Sequence, residues 1–209
     1  MEKLIFKDAI REVLLKHILT GKYQPGERLS LPAIAKELEV SVTPIREALT
    51  QLSETGLVNY KANRGFFLSE LSIDEAQEIY ELMALLESSA LQKSTFQKVQ
   101  LDELDEINSK LTSASESITI LDLDRQFHQK LLENYQNNYA LRIISSLRVQ
   151  ISLYEFAFWN DMHKDASVEM HRKITDFIRV GNLASAASLL EENWMISVKY
   201  IIDELQMVN

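Results

Sequence analysis

The stretch ELEVSVTPIREALTQLSETGLV, residues 37–58, decides the fold of the first third of the chain. Its apolar residues recur every three or four positions, namely Ile45, Ala48, Leu49 and Leu52. This spacing predicts a helix over residues 43–55, with Thr43 as its N-cap and Pro44 at the first helical position. A short turn separates it from another helix predicted near residues 31–38. Two short helices joined by a tight turn are typical of a helix-turn-helix.

The segments on either side extend this pattern to a winged helix-turn-helix. A helix is predicted near residues 4–20, ahead of the pair. After it, LVNYKANRGFFLSEL, residues 57–71, has two short apolar runs around a polar tip, which predicts a two-stranded hairpin. Three helices followed by a hairpin predict a first domain over residues 1–70.

The polar residues of this domain predict contacts with DNA. In a helix-turn-helix the second helix enters the major groove N-terminus first, so its free amides and nearby hydroxyls bind phosphates. Arg46, one turn in, can contact guanine or a phosphate, and Arg64 at the hairpin tip can reach the backbone or the minor groove. The alternative is that both arginines are solvated surface charges. The predicted DNA-binding residues are Ser41, Thr43, Pro44, Arg46, Arg64 and Gly65.

The charge of the chain is divided unevenly. Its net charge is −9, but the first 70 residues hold ten Lys and Arg against nine Asp and Glu and carry +1. The remaining residues therefore carry −10, and only the first domain is suited to approach phosphates. The chain has no Cys, its N-terminus lacks the pattern of a signal peptide, and no apolar run is long enough to cross a bilayer. We therefore expect a cytoplasmic protein with no membrane partner.

The second part of the chain is predicted to be helical throughout. All three prolines and four of the five glycines precede residue 66, and a capping box at Ser72–Glu75 opens the first long helix. Short polar breaks separate the predicted helices, as neighbours in an antiparallel bundle require. The helices are predicted near residues 72–94, 98–113, 117–134, 138–159, 166–180 and 182–206. The fold class is therefore mainly α, with an antiparallel bundle of about six helices over residues 71–209.

One polar pair in this bundle has the spacing of a metal site. In DLDRQFHQ, residues 122–129, Asp124 and His128 lie four positions apart and project from one helix face. Such a pair supplies half of a metal site. The alternative is a hydrogen bond on a helix surface.

The first domain resembles the GntR family of bacterial transcription regulators. The resemblance is carried by GKYQPGERL (21–29), VSVTPIREAL (40–49), GLV (56–58) and NRG (63–65), in the order and spacing of the family. Many members carry Arg after the Val-Ser of the second motif, where this chain has Val42. The resemblance implies an operator-binding regulator whose DNA preference cannot be taken from that of relatives with that Arg.

The whole chain is similar to the FCD (FadR C-terminal domain) subgroup, whose helical domain binds effectors and forms homodimers. Many members bind a metal through Asp-x-x-x-His and two further histidines. The resemblance implies Asp124, His128 and His171 as ligands, with Asn193 replacing the last His. An Asp with two His suits Zn²⁺, with Ni²⁺ and Mn²⁺ as alternatives.

The resemblance also implies an effector site near the metal, where an open coordination position would take a small carboxylate. The first long helix of the subgroup often carries an Arg where this chain has Met83. The pocket would then be more apolar or use another base, and each candidate arginine could equally be a surface charge. Aromatic residues would either line the pocket or belong to the core or a dimer contact. The candidate pocket residues are Arg125, Arg142, Arg148, Tyr154 and Trp194.

These inferences predict a regulator, not an enzyme. A homodimer would bind double-stranded operator DNA, and a small-molecule effector in the helical domain would modulate that binding. The first alternative is the same regulator with a degenerate metal site and a purely dimerising second domain. A remote alternative is a metal-dependent hydrolase, which would leave the helix-turn-helix without a role.

Overall fold

The winged helix predicted for the first third of the chain is confirmed in a computed structural model that describes residues 2–158 and 161–208. The elements run in the predicted order, with one additional strand. They are α1 (Glu2–Leu19), β1 (Arg28–Leu29), α2 (Leu31–Glu37), α3 (Val42–Glu54), β2 (Val58–Lys61) and β3 (Gly65–Leu68).

Helix α3 buries one face and exposes the other. Ile45, Ala48 and Leu49 are fully buried against the core of the winged helix, whereas Arg46 is exposed. Burying a Leu or Ile side chain contributes about 1.5–3 kcal/mol, so this face holds the helix in place. The prediction that Thr43 caps α3 is wrong, because the N-cap is Ser41 and Pro44 is the third helical residue. Proline is accommodated there because amides of the first turn have no partner within the helix.

The sheet has three strands, where the sequence predicted two. They lie in the order β1-β3-β2, and both pairs are antiparallel. Strand β1 pairs Arg28 with Phe67 and Leu29 with Phe66, and the Leu29 side chain is buried. The turn between β2 and β3 ends at Gly65, whose φ of +96° favours glycine.

The helical bundle predicted for the second part is also confirmed. Helix α4 packs against α9, α9 against α8, and α5 against both α6 and α8. The prediction that α8 begins near residue 166 is wrong, since the helix begins at Asp161. The sequence at its start is polar and resembles a break between helices. The helices are α4 (Ile73–Gln92), α5 (Lys98–Ser113), α6 (Ser117–Leu131), α7 (Asn138–Phe158), α8 (Asp161–Arg179) and α9 (Leu183–Val208). None of the described helices is long and apolar enough to cross a membrane.

Contacts divide the chain into two compact units, and the middle of α7 belongs to the first. Residues 146–157 group with residues 1–72, and the rest form the second unit. Within the first unit, Leu153 joins the apolar core and the Gln150 side-chain amide donates a hydrogen bond to the carbonyl of Thr55 at 2.7 Å. The backbone N–H of Ser72 also donates to the Tyr154 hydroxyl at 3.2 Å. The predicted first domain, residues 1–70, does not include this segment of α7. The predicted domain boundary stays a prediction.

Candidate metal centre and nucleic-acid interface

Asp124, His128 and His171 come together inside the second unit. We call these three residues the Asp–His–His cluster. Helix α6 presents Asp124 and His128 one turn apart, and α8 presents His171. Asp124 Oδ1 lies 3.5 Å from His171 Nε2, and Asp124 Oδ2 lies 3.8 Å from His128 Nε2. One potential ligand atom from each residue lies within 4.8 Å of the others.

His171 has the environment expected of a metal ligand. It is fully buried, and neither ring nitrogen has a hydrogen-bond partner among the described residues. The Phe127 ring stacks on its imidazole at 3.7 Å between centroids, which fixes the ring plane. Burial, reinforced by the nearby His128, holds the pKa of His171 well below its usual value. The imidazole is therefore neutral near pH 7, with a lone pair available to a metal.

The cluster has the chemistry to bind a divalent metal. A carboxylate oxygen and two imidazole nitrogens are common ligands of Zn²⁺ and of other first-row divalent ions. Leaving a buried imidazole without partners costs free energy, and a metal ion would remove that cost. The donor set and the unpartnered His171 therefore both fit a metal.

Asn193, predicted at the fourth ligand position, is buried on α9, a helix that packs against α8. Its backbone carbonyl accepts a hydrogen bond from the Ser197 hydroxyl at 3.0 Å. A neutral amide oxygen is a weaker ligand than an imidazole nitrogen. A role for Asn193 at the metal stays a prediction.

Glu87 is a residue of this site that sequence reasoning missed. It lies on α4 and is fully buried, and its Oε2 is 2.7 Å from His128 Nδ1 and 2.9 Å from Trp194 Nε1. Its position in the sequence could have indicated that it is buried, because Glu87 falls on the same helix face as the buried residues Met83, Ala84 and Leu91. A charged residue within an apolar helix face is rarely buried without a partner.

The predicted effector residues are dispersed. Trp194 contacts the cluster, with its ring centroid 4.7 Å from that of His128. Arg125 is exposed and pairs with Asp122 on its own helix, and the exposed Arg142 lies 4.7 Å above the ring of Tyr139. Two further candidates belong to the first unit, namely Arg148 and Tyr154. Among the described residues, Trp194 is therefore the one candidate for which a contact with the cluster is observed, and the pocket stays a prediction.

The predicted DNA-contacting residues lie on the surface of the winged helix. Ser41, Thr43 and Arg46 are exposed at the start of α3, and Pro44 is partly exposed. The Ser41 side chain makes no capping hydrogen bond. Arg64 is exposed at the hairpin tip, next to Gly65.

Two further cations accompany Arg64 and were missed in the sequence. The ring of Phe67 lies 5.0 Å from Lys61 Nζ and 5.7 Å from the Arg64 guanidinium. Arg28 is opposite Phe67 in the sheet, and its guanidinium approaches Gly65. We call Arg28, Lys61 and Arg64 the wing cations. Arg28 was missed because β1, two residues long, has no periodic pattern.

Comparison with known protein families agrees with this arrangement. The profile of the bacterial regulatory proteins of the gntR family matches residues 6–68, and the profile of the FCD domain matches residues 78–194. The chain belongs to the GntR family. It is a DNA-binding transcriptional regulator of this family with an FCD domain, as the motifs of the sequence predicted.

Individual relatives support the same conclusion. The GntR-family chain is 35% identical over 164 residues to the Nta operon transcriptional regulator of Aminobacter aminovorans, covering 75% of each chain. It is 24% identical over 204 residues to the transcriptional repressor GlaR of Escherichia coli K12, covering 90% of this chain and 92% of that protein. These relatives are transcriptional regulators, so the prediction that the chain is not an enzyme is confirmed.

Solved structures share the fold of this GntR-family protein. A putative GntR regulator from Rhodococcus sp. RHA1 matches with a TM-score of 0.80 at 23% identity, covering 94% of this chain and 97% of that one. The E. coli protein McbR/YncC matches with a TM-score of 0.79 at 20% identity, covering 97% and 98%. At these identities the likeness shows the fold alone.

Proposed function

We propose that this GntR-family protein is a cytoplasmic, homodimeric regulator whose binding to operator DNA responds to a small carboxylate bound at a metal site. Residues 1–70 bind DNA, and residues 71–209 bind the effector and dimerise. The observation that carries the proposal is His171, a fully buried imidazole with no hydrogen-bond partner in the described chain, beside Asp124 and His128.

The metal is held by Asp124, His128 and His171, and Zn²⁺ suits the donor set best. When bound, such an ion supplies a Lewis-acidic centre that takes a carboxylate oxygen. Trp194 lies at the cluster, where its ring can pack against the effector. Asn193 is buried on the same helix and adds a weak oxygen donor. Ni²⁺ and Mn²⁺ are the alternatives to Zn²⁺.

The DNA contacts come from α3 and the wing. Arg46 reads a base or grips a phosphate in the major groove, while Ser41, Thr43 and the free amides of α3 hold phosphates. Arg64 and the other wing cations neutralise the backbone beside the groove. In a dimer, two such surfaces would bind half-sites about 10 bp apart.

Regulation requires that the effector bind the two DNA-affinity states unequally. The ratio of its affinities for these states sets the size of the switch, and the coupling is reciprocal. Operator DNA therefore changes effector affinity by the same factor as the effector changes DNA affinity.

The test begins with metal-stripped protein and the DNA upstream of its own gene. Zn²⁺, Ni²⁺ and Mn²⁺ are titrated separately, and operator binding is then measured with a panel of small carboxylates. We expect carboxylates to change operator affinity only when metal is present. Carboxylate effects of equal size with and without metal would contradict the proposal.

The second candidate is a helical domain that only dimerises, and Asn193 at the fourth ligand position favours it. The two candidates differ in metal content. Protein that is purified without metal, and whose stability and DNA binding do not respond to added Zn²⁺ or Ni²⁺, would support the dimerising role.

A further inference from the structure

We propose that Glu87 is a positioning residue for the metal site, which orients His128 and fixes its tautomer through a buried hydrogen bond. The proposal rests on the metal site of the proposed function. Glu87 lies on α4, a helix for which the sequence analysis predicted no metal ligand. It contacts His128 and is not one of the three proposed ligands.

The donors around Glu87 decide the tautomer. An indole N–H can only donate, so Glu87 Oε2 accepts the hydrogen bond from Trp194 Nε1 at 2.9 Å. The same oxygen lies 2.7 Å from His128 Nδ1. An ionised carboxylate can only accept hydrogen bonds, so Nδ1 is the donor of this second one. The proton of neutral His128 then resides on Nδ1.

The other nitrogen of the ring consequently carries the lone pair that a metal requires. With Nδ1 protonated, Nε2 carries the lone pair, and Nε2 is the atom 3.8 Å from Asp124 Oδ2. Metal-binding histidines commonly donate their second N–H to a carboxylate, which fixes the ring and makes it a better donor. Glu87 gives His128 that arrangement.

Burial and charge fit the same role. Glu87 is completely buried, and Met83, one turn earlier on the same face, is apolar and also completely buried. A buried carboxylate in such surroundings requires compensation. Glu87 and Asp124 both lie beside His128. When both are ionised, their two negative charges match the charge of one divalent cation.

Trp194 is a second anchor for Glu87 and a reporter of the site. Besides donating to Glu87, its ring lies 5.8 Å from Tyr80 and 4.7 Å from His128. Changes at His128 are therefore expected to alter the indole fluorescence. The second tryptophan of the sequence, Trp159, lies outside the described residues, and a Trp159→Phe background makes Trp194 the sole source of indole fluorescence.

The first experiment measures Zn²⁺ affinity of the full-length protein by competition with a chromophoric chelator. Glu87→Gln preserves the shape of the side chain but removes its charge and one acceptor oxygen. Losing such a partner weakens metal binding by about 10–100-fold, which is the expected result. The matched control is Glu78→Gln, which removes an exposed carboxylate from the same helix and should bind Zn²⁺ as the wild type does.

A tautomer measurement separates positioning from a purely structural role. Long-range ¹H–¹⁵N spectra of metal-free protein above pH 7.5 should show His128 protonated on Nδ1, and Glu87→Gln should lose that preference. Finding His128 protonated on Nε2 in the wild type would overturn the inference, even if Glu87→Gln were unstable.

Trp194→Phe keeps the aromatic packing and removes only the indole donor, so it provides a second variant. We expect it to weaken Zn²⁺ binding several-fold, less than Glu87→Gln. If the wild type binds Zn²⁺ and Glu87→Gln binds it with the same affinity, the role of Glu87 is overturned and the metal site is not. Failure of the wild type to bind Zn²⁺ would instead overturn the metal site on which the inference rests.

Discussion

The surface of the winged helix and the Asp–His–His cluster place their functional side chains in opposite environments. On the winged helix, Arg46 is exposed, and Ile45 and Leu49 beneath it are fully buried. In the cluster, His128 and His171 are themselves buried in the core of the second unit. The proposed function and the stability therefore depend on different residues in the winged helix and on the same residues in the cluster.

The two sites also differ in how far apart their residues lie along the chain. The predicted DNA contacts of α3 span residues 41–46 and are positioned by one helix, whereas the cluster and its partner Glu87 lie on three helices. A single substitution on α3 can thus be local, but one in the cluster alters the packing of several helices. We therefore expect substitutions on α3 to affect DNA binding with little change in stability, and substitutions in the cluster to affect both metal binding and stability.

The largest expected effect is the loss of metal binding in His171→Ala. Removing an inner ligand should weaken Zn²⁺ binding by more than about 100-fold, which exceeds the effect of removing an outer partner. Zn²⁺ at about 100 times the wild-type Kd should stabilise the wild type by about 2.7 kcal/mol and the variant by far less. Chemical denaturation with and without Zn²⁺ measures both. His17→Ala, a histidine of α1, is the control and should respond as the wild type does.

Arg46→Ala should have the next largest effect, and it tests the predicted DNA contacts of the winged helix. Loss of a bidentate base contact costs about 1–3 kcal/mol, so operator affinity should fall by about 5–150-fold. Because Arg46 is exposed, thermal stability and Zn²⁺ stabilisation should stay at wild-type levels. Gel shifts and thermal melts provide the measurements, with the exposed Lys16→Ala on α1 as the control. Equal operator affinity would remove Arg46 from the interface.

Gly56→Ala addresses the interior of the winged-helix unit, where stability should suffer. Gly56 and Gly21 both have positive φ, so Ala at either position costs about 1 kcal/mol. At Gly56 the new Cβ would lie 2.8 Å from Gln150 Nε2, which must then leave the Thr55 carbonyl, whereas nothing lies within 4 Å at Gly21. Losing that hydrogen bond adds about 0.5–1.5 kcal/mol.

Urea denaturation of the two glycine variants measures this difference in the free energy of unfolding. The control is a double-mutant cycle with Gln150→Ala. In that background, Gly56→Ala and Gly21→Ala should lower the free energy of unfolding by similar amounts. A difference that persists in that background would show that Gln150 is not its cause.

The wing cations should give the smallest effect. Each cation that neutralises a phosphate contributes about 0.9 to the slope of log affinity against log salt concentration. Alanine at Arg28, Lys61 or Arg64 should each lower that slope by about this amount, with a modest loss of affinity. Lys61 also lies 3.6 Å from Glu70, so its effect is expected to be smaller. Lys98→Ala, an exposed cation of α5, is the control and should leave the slope unchanged.

Much of the fold could be predicted because local patterns determine it. The periodicity around Ile45 and Leu49 located α3, and the polar breaks located most of the bundle helices. Strand β1 could not be predicted, because two residues form a strand only through pairing with Phe66 and Phe67. The α7 segment 146–157 was likewise missed, since its grouping with the winged helix depends on distant contacts such as Gln150 with Thr55.

The candidate site was predictable where spacing along one helix sufficed. Asp124 and His128 were found from their four-residue separation, and His171 from the family resemblance. Glu87 was missed because its hydrogen bond to His128 joins residues 41 positions apart. That contact exists only once α4 and α6 are packed in the same core.

Metal content of the purified protein shows whether the Asp–His–His cluster binds a metal. Wild-type protein and His171→Ala are stripped, dialysed to equilibrium against the same buffered Zn²⁺ and analysed for zinc and protein. We expect one Zn²⁺ per chain in the wild type and essentially none in His171→Ala. Equal zinc content in the two proteins, or none in either, would contradict this expectation.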